Sequence, residues 1–355
     1  MVVSCMEHKS TGARCTVNRV VIGNPNILKL EDYFKIARPP WPGVLLWYVF
    51  ESRISMKRLL AIVILAAVAV VAPAQSGAAE RPRILGIDHV SFFTTSPDGV
   101  NQLYGVVLGL ASAPLIEPGE TLRYMVGTQW VGYSPAPDSK SNDRMDHVAF
   151  TTDDALGLRD YLKGKGVSIS KMSELMDHSP SFTVTDPEGH TIEFVQHVKK
   201  TALTPPSTAV SHRMIHTGFI VHNRDAEDHF YRDILGFHIY WYGGMQPDRT
   251  DWVAMQVPDG TDWLEYMLNQ PEHPDLHTTG VMNHISLGVP EMKQAEATLE
   301  AHGWKPHGSE HSQMGKDGKW QLNVFDPDLV RIELMDFKPV EKPCCSDFQG
   351  PHPSE

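Results

Sequence analysis

Cysteine is scarce in this chain: only 4 occur among 355 residues, and two of them, Cys344 and Cys345, are adjacent near the C-terminus. A disulfide framework and a zinc motif of spaced cysteine pairs are both excluded. Basic runs are missing too, and the formal charge of −12 argues against a nucleic-acid partner, which selects a basic face. No apolar run reaches the ~20 residues that a membrane span requires. The longest, Leu59 to Val71, follows Met56-Lys57-Arg58 and precedes Ala72-Pro73-Ala74. A positive start, a short apolar run and a small-x-small site make a secretory signal peptide. The expectation is a leader over 56–79 read from Met56, with residues 1–55 a non-native extension. The mature chain then begins near Gln75 or Glu80, secreted or periplasmic, with no stable membrane anchor after cleavage.

Histidine, by contrast, is plentiful at 18, and the sequence repeats itself. The stretch Phe325-Asp326-Pro327-Asp328-Leu329 forms a turn, since proline presets φ and aspartate can bond its own backbone. Val330, Ile332 and Leu334 then alternate with Arg331, Glu333 and Met335, the period of a strand. Upstream, Asp186-Pro187-Glu188-Gly189-His190 leads into Ile192-Glu193-Phe194 in the same way. In both copies the glutamate follows the turn aspartate by seven residues. Such an echo marks a duplicated module.

Four segments share one order of signals. Their first strands contain Asp88-His89-Val90, Asp146-His147-Val148, Ile215-His216-Thr217 and Asn283-His284-Ile285. A helix with capping polarity follows each, at Ser96 to Gly109, Asp154–Lys163, Asp225–Leu235 and Glu291–His302. Further short strands complete βαβββ units. The expected fold class is α+β, with four such units making two modules, 84–198 and 212–338. A linker spans 199–211, and 339–355 is expected to be a flexible tail.

His89, His147, His216 and His284 hold equivalent first-strand positions, and Glu193 and Glu333 end the second and fourth units. The third unit adds Glu265 in Gly260-Thr261-Asp262-Trp263-Leu264-Glu265. The first unit has Gly127-Thr128-Gln129-Trp130-Val131-Gly132 there, so Gly132 stands where Glu265 does. The second module thus offers His216, Glu265, His284 and Glu333, and the first only His89, His147 and Glu193. A sheet lining should be apolar, so imidazoles and carboxylates recurring there point to a metal. The donor types suit zinc, nickel, iron(II) or manganese.

On these residues the chain resembles the vicinal-oxygen-chelate superfamily, which includes glyoxalase I, methylmalonyl-CoA epimerase, type I extradiol dioxygenases and bleomycin- and fosfomycin-resistance proteins. The resemblance covers residues 84 to about 337. It implies paired units, each pair curling a sheet into a cup around one divalent metal. Its ligand positions fall on His216, Glu265, His284 and Glu333, with His89, His147 and Glu193 a possible second site. Glu265 or Glu333 would inherit the role of proton-transferring base. Neighbouring units can share a cup, or first can pair with fourth and second with third.

The four-ligand set favours a lyase or isomerase acting on a small molecule with vicinal oxygens. The alternative is an extradiol-type dioxygenase. Type I members carry a tyrosine four residues before the proline of the last turn and a glycine or proline two after it. Asn323 and Leu329 stand at those places here. A binding or resistance protein without catalysis is a second alternative. Export disfavours glutathione and coenzyme A thioesters, which are cytosolic. Tyr240, Trp241, Tyr242, Trp252 and Trp263 are expected to serve the core before the substrate pocket.

Overall fold

A computed structural model of the chain describes residues 4–6, 14–16, 80–137, 141–198, 206, 208–306 and 311–355. The chain divides into two compact units, 1–75 and 76–355. In the first, β1 (Ser4–Met6) pairs antiparallel with β2 (Arg14–Thr16). The expected leader over 56–79 lies outside the described residues, as does the expected start at Gln75.

The second unit contains two eight-stranded sheets of the same plan. The first holds β3 (Ile84–Thr94), β4 (Ala111–Ser112), β5 (Leu122–Val126), β6 (Gln129–Pro135), β7 (Met145–Thr152), β8 (Ser173–Glu174), β9 (Pro180–Thr185) and β10 (Thr191–Val195). Its strand order is β4-β5-β6-β3-β7-β10-β9-β8. The second holds β11 (Arg213–Ile220), β12 (His238–Gly243), β13 (Trp252–Gln256), β14 (Trp263–Met267), β15 (His284–Val289), β16 (Gln313–Met314), β17 (Trp320–Phe325) and β18 (Arg331–Asp336), in the order β12-β13-β14-β11-β15-β18-β17-β16. This is an α+β fold of two modules, each with two βαβββ units. Each first strand pairs parallel with the last strand of its own unit, and the two first strands meet antiparallel at the centre. Neighbouring units therefore share a sheet. First does not pair with fourth.

Strand alternation sorts the side chains. Val131, Tyr133, Val148, Phe150, Ile192 and Phe194 join one large core, and so do Leu264, Tyr266, Ile285, Leu287, Ile332 and Leu334. Each such side chain contributes roughly 1.5–3 kcal/mol when fully buried. Their neighbours point the other way, into the two cups. Ala149, Trp130 and Val195 line the first, and Trp263, Ile215 and Met335 the second. The helix Ala155–Gly164 is opened by Asp154, whose side chain accepts from the Gly157 amide, and Glu291 caps Met292–Ala301 in the same way. In the odd units the helix is short, Pro97–Asn101 or Arg224–Asp228, and widens into a π-helical turn, Gln102–Val107 or His229–Ile234. Leu276–Met282 is an additional helix that periodicity did not show.

The repeated Asp-Pro turns join the modules. Asp326 accepts from Tyr133 of the first module at 3.0 Å, and Asp186 from Tyr231 of the second at 3.1 Å. The fourth turn position is left-handed in both copies, with φ 100° at Gly189 and 69° at Leu329. Leucine there bears a steric penalty that glycine avoids.

The segment 339–355, expected to be flexible, packs on the second sheet instead. Trp241 donates to the Cys344 carbonyl at 3.2 Å, the Gln349 amide to Tyr240 at 2.8 Å, and Gln256 to Pro351 at 2.9 Å. Phe348 lies against the Tyr240 ring, with centroids 4.8 Å apart. Cys344 and Cys345 are bonded to each other. Composition suggested disorder, but one aromatic anchor and a row of paired backbone groups offset the ordering entropy.

Candidate functional site

Strand alternation gathers the expected donors of each module on one face of its sheet. In the second cup, His216 Nε2 stands 3.1 Å from His284 Nε2 and 3.2 Å from a Glu333 oxygen. Glu265 is set farther out, 3.6 Å from His284 and 3.8 Å from His216. His216, His284 and Glu333 form the compact trio, with ligand atoms within 4.8 Å of one another. His284 donates its Nδ1–H to the Met282 carbonyl at 2.7 Å, so its Nε2 offers a lone pair to the site. Trp263 stacks on the His216 ring at 4.7 Å.

The environment splits the two acids. Burial and the charge of Glu333 push Glu265 up to about 8. Burial also works against Glu333, but the Arg331 guanidinium 3.7 Å away and His216 hold it below the usual range. Burial lowers His216 and, together with Arg331, lowers His284 further. Lys319, fully buried, lies 4.5 Å over Trp263 and is lowered to about 8 by burial. Glu265, Glu333, Arg331, Asp317 and the wall of Trp241, Trp252 and Trp263 enclose a cavity of about 100 Å³. The aromatics expected mainly in the core are therefore shared: Tyr242 packs on the core, whereas Tyr240 and three tryptophans face the cup.

In the first cup, His89 Nε2 and His147 Nε2 are 2.9 Å apart, and each lies 3.5 Å from the same Glu193 oxygen. Each ring donates its Nδ1–H to the aspartate before it, His89 to Asp88 at 2.9 Å and His147 to Asp146 at 3.0 Å. Asp88 also accepts from His197. Burial lowers His89, while Asp146 raises His147 in spite of burial. The register sets Gly132 beside Ser91 and Glu265 beside Gly218, matching the aligned motifs. Yet the first cup does not stop at three donors. Glu117, from the loop between β4 and β5, brings a carboxylate to 3.5 Å from His89 Nε2. Sequence periodicity could not find it, because a loop acid has no repeat partner. Asp88 and Asp146 directly precede their histidines in sequence, an Asp-His signal for the partner of each ring.

Both donor sets fit a divalent metal. Paired lone-pair nitrogens about 3 Å apart match two ligands each about 2.1 Å from one ion at near right angles. The carboxylate partners on His89 and His147 orient the rings as outer partners of bound histidines do. A third gathering, Asp186, His190 and Glu227, lies at the module junction, where His190 already bonds Asp186 at 2.9 Å. A larger hollow of about 720 Å³ borders Asp88, Trp130, His197 and Arg213, but none of the donors lines it.

The fold has many solved likenesses. A Mn(II)-bound glyoxalase from Novosphingobium aromaticivorans is 16% identical with a TM-score of 0.57, over 76% of this chain and 86% of that one. The 2,3-dioxygenase LapB from Pseudomonas sp. KL28 is 15% identical at 0.53, over 78% and 96%. Homoprotocatechuate 2,3-dioxygenase from Brevibacterium fuscum, in an anaerobic substrate complex, is 16% identical at 0.55, over 77% and 85%. At such identities the likeness concerns the fold. No curated protein is significantly similar in sequence. The family model of the glyoxalase/bleomycin resistance protein/dioxygenase superfamily matches residues 86–194 and 209–334, and the chain belongs to that superfamily.

Proposed function

We propose that the second cup is a divalent-metal active site of the glyoxalase I type, acting as lyase or isomerase on a small molecule with vicinal oxygens. One observation carries this reading. Four donors on four strands face one point, and the two acids among them, Glu265 and Glu333, line the same small cavity. His216, His284 and Glu333 would hold the ion, in the zinc, nickel, iron(II) or manganese class. Once bound, the ion supplies Lewis acidity to two adjacent substrate oxygens.

The chain's own residues do the rest. Glu265 stands farthest from the imidazoles, so once ionised beside a bound cation it is the carboxylate free to take a proton from substrate carbon and return it one atom along. Glu333 stays ionised beside Arg331 and keeps its place at the histidines. The tryptophan wall limits substrate size and excludes water, which strengthens every charge interaction inside. The leader motif at Met56 supports a secreted or periplasmic location, and therefore a substrate other than a cytosolic thiol adduct.

A dioxygenase reading has one observation in its favour, the compact His216–His284–Glu333 trio with Glu265 outside it. Against it, Asn323 faces Glu333 across the strand pair where a type I enzyme carries tyrosine. Purified protein should be assayed on a panel of small diketones and hydroxyketones and on catechols, with and without chelator. The proposal expects chelator-sensitive isomerisation that Glu265→Gln lowers by about 100-fold or more, within the range for a lost general base, while metal content is kept. Oxygen consumption on catechols that survives Glu265→Gln would establish the dioxygenase. Metal-loaded protein that binds but turns over neither class would leave a binding protein.

A further inference from the structure

We propose that Glu117 is the fourth ligand of a separate divalent-metal centre in the first cup, replacing the strand carboxylate that Gly132 lacks, and that Glu120 is the residue that positions it. The ligand atoms of His89, Glu117, His147 and Glu193 all lie within 4.8 Å of one another. Among the described residues Glu117 Oε1 is buried and has no hydrogen-bond partner, although it is 3.5 Å from His89 Nε2. A buried acceptor left unpaired next to two imidazoles and a second acid is costly unless a cation completes the group.

The loop is built to deliver that atom. Glu120 Oε2 accepts from the Ile116 amide at 3.1 Å and the Glu117 amide at 3.3 Å, closing a tight turn under Glu117. The loop is also tied to the fold. Arg123 donates to the Pro114 carbonyl at 2.9 Å while lying 4.0 Å over the Trp130 ring, and Met176 donates to the Ile116 carbonyl at 2.9 Å. Trp130 in turn stacks on His89 with centroids 4.2 Å apart.

Glu120 stands where a side chain at Gly132 would begin. A Cβ at Gly132 would lie 2.6 Å from Glu120 Oε1 and 2.9 Å from Ser91 Oγ. The space that a carboxylate side chain uses in the second cup is occupied here by Glu120. The strand position that lacks a carboxylate and the loop that supplies one thus adjoin each other. Among the described residues, the first cup also has what the second lacks, carboxylate partners on both histidine Nδ1 atoms. These favour a metal held at least as firmly as in the second cup.

The test is made on the full chain carrying His284→Ala, which disables the second cup, so the outcome does not depend on the reaction proposed there. Cobalt(II) titration followed by visible absorption should show one equivalent bound. Glu117→Gln should weaken cobalt binding by about 100-fold and change the band pattern, because a ligand is lost. Glu120→Gln should weaken it by about 10-fold and leave the bands of the bound ion unchanged, because the ligand set is the same. Circular dichroism verifies folding in each variant. Unchanged affinity and bands in folded Glu117→Gln would overturn the proposal. So would a folded His284→Ala chain that takes up no cobalt.

Discussion

Glu188 of the first module and Asp328 of the second grip the same backbone position in opposite modules. Glu188 accepts from the His222 amide at 3.1 Å, and Asp328 from the Thr95 amide at 2.9 Å. Each sits two residues after the turn aspartate that accepts a tyrosine hydroxyl from the other module. The Asp-Pro turn therefore has two tasks. It starts the strand that carries the cup glutamate, and it latches one module to its neighbour.

The two latches differ in burial, which sets the first prediction. Asp328 is 3% exposed and also accepts from the Thr94 and Thr95 hydroxyls at 2.6 Å and from Arg144 at 3.3 Å. Those hydroxyls outweigh burial and hold its carboxyl below the ordinary range. Asp328→Ala should lower the unfolding free energy by about 3 kcal/mol, the cost of breaking a buried charge pair. The more exposed Glu188→Ala should lose about 1 kcal/mol. Urea unfolding measures both, and equal losses would refute the ranking.

Much of this architecture was legible in the sequence because strands have period two. Once His216 and Glu333 are assigned to the face opposite Ile332, the rest of each cup follows. The Gly-Thr-x-Trp match located Gly132 and Glu265 correctly within the register. What lay beyond reach was non-periodic. Glu117 arrives on a loop, Lys319 sits at a strand entrance with its charge over aromatic rings, and Phe348 belongs to a tail of disordered composition. The inter-module latches were hidden for another reason. The turn acids were already explained by the turn itself, and nothing local shows that the same carboxylates reach across a module boundary.

Glu227 supplies a pH prediction at that boundary. It is fully buried among Asp186, Glu188 and Asp228, and it accepts from the Glu188 amide at 3.0 Å while its other oxygen has no partner among the described residues. Burial, then the Asp186 charge, pushes it up to about 9. In the unfolded chain a glutamate titrates at about 4.3. Between those values the native state holds one more proton than the unfolded state, so stability falls as pH rises. Relative to Glu227→Gln, the wild type should lose about 1.4 kcal/mol per pH unit between about pH 5 and 8. Thermal or urea unfolding of both proteins across that window gives the difference, which cancels all other titrating groups. A flat difference would mean that Glu227 is ionised in the fold.

The tail yields the last prediction. Phe348 lines the second-cup cavity, rests on Tyr240 and lies 5.3 Å from the buried Lys319 ammonium. Around it, the Tyr242 amide donates to Ser346 at 2.9 Å, and Tyr240 bonds His352 at 2.6 Å. Removing the ring takes away one wall of the cup without touching any donor. Since Phe348 is only partly buried, Phe348→Ala should destabilise by about 2 kcal/mol, below the 3–5 kcal/mol of a fully buried phenylalanine. Water should then reach Lys319 and the tryptophans. Acrylamide quenching of tryptophan fluorescence should rise, while the cobalt stoichiometry of the second cup stays the same. If quenching is unchanged and stability falls by less than about 0.5 kcal/mol, the level of an ordinary surface substitution, the tail does not close the cup. If cobalt is lost as well, the tail supports the donors directly, and the cavity wall cannot be separated from the site it covers.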